Sequence, residues 1–84
     1  MIVELSKPIN VNGKEVNQVD IKEDYTAGDM IRVQDAKSKG EGHVIAAVVT
    51  AATGWDISTI SKMTSKDFVR INNAAQPFLV GGGE

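Results

Sequence analysis

The sequence predicts an α+β domain, an N-terminal β-hairpin followed by three to four short helices, and three observations carry that reading. Asn12-Gly13 stands between two stretches rich in β-branched residues. Thr26 and Thr64 each precede an aspartate at the spacing of a helix cap, and Val44–Ala52 holds apolar residues one, three and four positions apart. Strands first and helices afterwards is the order of an α+β fold, not of an alternating α/β one.

The first strand covers Ile2–Val11, with Pro8 marking an edge position or a bulge because proline has no amide hydrogen for the ladder. Asn12-Gly13 accepts the positive φ angles of a two-residue type I′ turn. In the second strand Val19 and Ile21 point one way and Gln18, Asp20 and Lys22 the other, so one face is covered. Thr26-Ala27-Gly28-Asp29 then starts a helix, with Thr26 as the cap and Asp29 in the positively polarised first turn. This helix is expected to carry Ala27, Met30, Ile31 and Val33 inward, to run to Lys37 and Lys39, and to end at Gly40 and Gly42.

A second helix, from Glu41 or His43 to Thr53, buries the stripe Val44, Ile45, Val48, Val49 and Ala52 and stops at Gly54. "WDISTISKM" gives a short turn or helix anchored by Trp55, Ile57, Ile60 and Met63. Thr64 with Asp67 opens the last helix, which presents Phe68, Ile71, Ala75 and Phe78 on one side and is expected to be disrupted at Pro77. The domain organisation is thus a single small domain over 1–76 and a flexible, glycine-rich tail over 77–84.

Composition bounds the function. A chain of 84 residues hides only around two thirds of its unfolded surface, and so small a core favours a partner. With no cysteine there is no disulfide, thiolate metal site or thiol catalysis. Nine basic and eleven acidic side chains give a net charge of −2, and the basic ones are dispersed, which argues against nucleic acid as a partner. The longest apolar stretch, Val44–Ala52 with Thr50 inside it, is about half of the roughly twenty residues a membrane span needs. Glu4 and Lys7 interrupt the start where a signal peptide would be apolar. The expectation is a soluble, intracellular protein.

Catalytic, cofactor and metal motifs are missing from the pattern. His43 is the lone histidine, with no nucleophile or orienting acid specified around it, and reads as a surface or helix-start residue. One histidine among scattered carboxylates offers no metal-ligand spacing. "GEGHVIA" has Ile45 where a third glycine of a dinucleotide loop would stand and follows a helix, so its glycines punctuate helices. Ser58, Ser61 and Ser65 lack the sharp-turn context of a nucleophile, and Glu23-Asp24 reads as a polar turn. Trp55 is a core anchor or an interface hot spot.

Three stretches, "LSKPINVNGKEVNQVDI", "YTAGDMI" and "ISKMTSKDFVRI", taken in order, resemble the small phage tail assembly chaperone family, the Mu-like tail assembly proteins of contractile-tailed phages and prophages. The likeness covers Leu5–Ile71, with Tyr25 where the family often has proline and Met30 and Met63 where leucine is usual. The resemblance implies a non-catalytic chaperone in the cytoplasm of the bacterial host. Such a protein binds the tape measure protein, keeps it soluble during tail tube assembly and is absent from the mature virion. It also implies a longer form made by programmed frameshifting, with which the Gly81-Gly82-Gly83 codons are compatible. An exposed hairpin edge, or the apolar stripe around Val44, Val48 and Trp55, is the candidate partner-binding surface. The chain is also compatible with a homo-oligomer, and the alternative readings are a small regulatory or toxin-neutralising protein and a structural tail connector.

Overall fold

The structure, a computed structural model, describes residues 1–81 of the chain; of the predicted tail 77–84, residues 77–81 belong to the last helix and 82–84 lie outside the described residues. Strands β1 (Ile2–Val11) and β2 (Lys14–Asp20) form an antiparallel hairpin. Its turn has Asn12 at φ 53° and Gly13 at φ 84°, the two positive angles the dipeptide predicts. Asn10 adds a side-chain acceptor, its Oδ1 taking the Gly13 amide at 2.9 Å.

Pairing is regular near the turn, where Ile9 faces Val16, and at the open end, where Val3 faces Val19. Between these blocks Leu5, Ser6, Lys7 and Pro8 stand against Asn17 alone, so the irregularity expected at Pro8 is a bulge of four residues against one. The bulge shifts the side-chain parity of β2. Val16 and Val19, three positions apart, can then share a face with Ile9 and Val3. From that face Val3, Ile9 and Val19, with Ile21, join the core.

Helix α1 (Ala27–Ala36) starts with a complete capping box: Thr26 Oγ1 accepts the Asp29 amide at 3.2 Å and the Asp29 carboxylate accepts the Thr26 amide at 3.1 Å. The inward stripe is Asp29, Val33 and Ala36, which corrects the expectation for this helix. Ala27 is exposed, Met30 is 37% exposed and Ile31 58%. The cause is rotational phase: Asp29 must face inward to receive the Lys22 ammonium at 2.7 Å, and at about 100° per residue its neighbours then rotate outward.

A 3-10 turn, Lys37–Lys39, follows, and Gly40 at φ 119° redirects the chain. Gly42 is the second correction, since it lies in the first turn of α2 (Glu41–Thr53) and does not end α1. Helix α2 buries Val48, Val49 and Ala52 and ends on Gly54 at φ 76°. Its Ala52 carbonyl accepts the Lys22 amide at 3.1 Å, which anchors the end of the hairpin to the end of this helix.

Helix α3 (Ile57–Ile60) is capped by Asp56, whose Oδ1 accepts the Thr59 amide at 2.9 Å. Ile60 and Met63 are buried, whereas Ile57, expected as an anchor, is 55% exposed. Helix α4 (Ser65–Gly81) starts at Thr64, whose Oγ1 accepts the Asp67 amide at 3.1 Å. Ile71, Ala75 and Leu79 are buried along it, flanked by half-buried Phe68 and Phe78. The expected break at Pro77 does not occur, because the helix runs through it to Gly81. Proline there withholds a hydrogen from the Asn73 carbonyl, and the burial of Leu79 holds the final turn in place.

Candidate functional site

Perturbed carboxylates are the usual mark of a catalytic centre, and among the described residues the buried polar or charged side chains are Asp29 and Asp67. Both are consumed by the fold. The hydrogen bond from Lys22 holds the Asp29 carboxyl below the usual carboxylate range; burial opposes this and the Thr26 amide reinforces it. Arg32 adds a second cation at 3.8 Å. For Asp67, 1% exposed, burial works to raise the value, but the Ser6 amide at 2.9 and 3.1 Å and the Ser6 hydroxyl at 3.0 Å overcome it, and the group stays low. Asp29 therefore secures the end of the hairpin to α1, and Asp67 secures the bulge of β1 to α4.

The other polar candidates are occupied in local structure. The Ser58 hydroxyl donates to Asp56 and the Ser61 hydroxyl to the Ile57 carbonyl. His43 is exposed in the first turn of α2. Among the described residues no group of three or more histidines and carboxylates is placed to hold a metal, and no helix is long and apolar enough to cross a membrane. Among the described residues one buried polar side-chain atom lacks a partner, the Tyr25 hydroxyl, which burial pushes above its ordinary pKa.

Apolar surface is the more distinctive feature. A hollow of about 320 Å³ opens between α2, α3 and the start of α4, walled by Ala46, Ile57, Ile60, Met63 and Phe68 with Ser61 and Ser65 at its polar positions. A second depression runs between α1 and the end of α4, where Met30 and Leu79 are common to two adjoining hollows. The candidates named from sequence separate in space. Val48 is completely buried in the core, Val44 lines the α1–α4 depression, and Trp55 is half-buried against the core. The stripe is mainly the packing face of α2, so its middle has no surface to present.

The hairpin edge is also less open than the strand pattern suggests. Along β1 the Ser6 amide goes to Asp67, the Glu4 carbonyl accepts from Arg70, and the Asn10 carbonyl accepts from Lys62 at 3.3 Å. Such blunting is a common treatment of a strand that would otherwise recruit another chain. Sequence reasoning missed the outward apolar residues Met30, Ile31 and Ile57, and no local signal marks them, because Ala27, Met30 and Ile31 are as apolar as the Val33 and Ala36 that go inside.

A hairpin laid on helices, with its buried carboxylates tied into the fold, is a small α+β domain whose surface carries mainly apolar hollows beside α2–α3 and between α1 and α4. The family model described as "Phage tail assembly chaperone proteins, E, or 41 or 14" matches residues 2–80, and the chain belongs to that family. Searches of curated proteins and of solved structures found no match.

Proposed function

We propose that this protein is a non-catalytic chaperone of phage or prophage tail assembly that binds the tape measure protein and keeps it soluble while the tail tube is built. It acts in the cytoplasm of the bacterial host and does not remain in the mature virion. The observation that carries the reading is the family match, which spans nearly all of the chain. The apolar hollows support it physically, since a chaperone of aggregation-prone segments needs exposed apolar area on a fold that remains stable without the client.

Co-expression with the tape measure protein of the same phage or prophage tests the reading. The expected result is a soluble tape measure protein that co-purifies with the chaperone; a client equally insoluble with and without it sinks the proposal. Intact mass analysis of every product sharing this N-terminus, expressed with its native downstream DNA, detects the longer frameshifted form. Finding the protein in purified particles would instead make it a structural tail component.

A further inference from the structure

Helix α1 turns one apolar side to the core and leaves another, Ala27, Met30 and Ile31, outside. Beside that outer side run the last turns of α4, and between them lies a trough of two adjoining hollows, each about 340 Å³. Met30 and Leu79 are shared by both hollows, Phe78 belongs to one, and Val33 and Val44 extend the apolar lining through the other. The two ends carry opposite charge. Glu23 and Asp24 line one end, and Lys37 lines the other. Glu23 has the Met1 ammonium at 3.1 Å, whereas Asp24 and Lys37 are exposed and form no ion pair among the described residues.

The geometry points to an amphipathic α-helix of the partner protein as the occupant of this trough. That helix carries a Lys or Arg at the end over Glu23 and Asp24, and an Asp or Glu at the end over Lys37. Met30 and Val33 along α1, and Lys37 at its C-terminal cap, follow one another at helical spacing, so the trough wall has the ridges between which the side-chain ridges of another helix fit. The ten residues of α1 extend about 15 Å, so the two partner charges stand roughly three turns apart, with apolar residues at every third or fourth position between them. Opposite charge at the two ends also selects a direction, because a reversed helix would set like charges against each other at both ends. The inference rests on the chaperone reading for the identity of the partner, the tape measure protein, and adds the surface, the kind of segment and its orientation.

The test uses the full chain co-expressed with the tape measure protein, with soluble client as the readout. Asp24→Lys alters an exposed position that precedes α1 and its N-terminal cap, and Lys37→Glu alters the exposed side chain of its C-terminal cap residue, where the capping hydrogen bond to the Gln34 carbonyl comes from the backbone amide. Each is expected to reduce soluble client about threefold or more, as like charges facing across an interface do. Asp35→Lys changes net charge as much as Asp24→Lys does but lines a different hollow, and it is expected to leave the yield at the wild-type level. If Asp24→Lys and Lys37→Glu both solubilise the client as well as wild type does, the trough assignment is overturned while the chaperone reading stands. Should the wild type itself fail to solubilise the client, both fall together. Sedimentation of the free chain supplies the remaining arm: a wild-type dimer that Asp24→Lys converts to monomer would make the occupant a second copy and overturn the assignment.

Discussion

Replacing Asp67 with alanine isolates the long-range contact on which the position of the hairpin depends. In the folded protein this carboxylate accepts the Ser6 amide and the Ser6 hydroxyl, has Arg70 at 3.7 Å, and is almost completely buried. A hydrogen bond to a charged acceptor contributes about 1.5–3 kcal/mol, and a buried amide left unpaired costs about 1–3 kcal/mol. The bulge lets some water reach Ser6, which favours the lower part of both ranges, so the expected loss is about 3 kcal/mol. For a chain of 84 residues the whole stability is about 4–12 kcal/mol. The melting temperature should then fall by roughly 12–24 °C. Urea denaturation followed by far-UV circular dichroism and by Trp55 fluorescence measures this. Asp67→Asn keeps the shape and one acceptor oxygen and should lose about half as much. A loss for Asp67→Ala within about 0.5 kcal/mol of zero would refute the view that this contact fastens the hairpin to α4. The pH dependence carries a defined sign. Because the folded-state pKa is lowered from 3.8, the stabilisation is present above that value and is lost as pH falls through the folded pKa. The gap between wild type and Asp67→Asn should therefore narrow only in strong acid.

Three further outcomes are expected. In Lys22→Met the Asp29 carboxyl loses the cation that lowers it most, so its pKa, followed by carbon NMR titration, should rise toward the ordinary carboxylate range; an unchanged titration would assign the shift to another group. Gly13→Val places a β-branched residue at φ 84° and should cost about 1–2 kcal/mol in urea unfolding through backbone strain alone, since nothing lies within 4 Å of the position its Cβ would occupy. Pro77→Ala restores the missing amide hydrogen inside α4 and should stabilise the protein by about 1 kcal/mol or more; destabilisation would mean that the proline ring itself is needed for packing.

Local chemistry alone determined much of this protein. Asn12-Gly13 sets the turn because only residues tolerant of positive φ fit it, Thr26 and Thr64 set two helix starts because their hydroxyls serve amides three residues on, and Gly54 ends α2 in the left-handed region. Each of these signals acts over one to four residues and can be read in order along the chain. Tertiary structure decided the rest. Which side of α1 faces the core depends on Lys22 reaching Asp29, and α4 outlasts Pro77 because Leu79 finds a place in the core. The Ser6–Asp67 contact joins positions 61 residues apart. The candidate surface follows the same division. Val44 was legible from the helical stripe, but its neighbour Val48 is covered, while Met30 and Ile57 became surface only once other elements had taken up the core. An apolar residue specifies that it can be buried, and the supply of neighbouring elements settles whether it is.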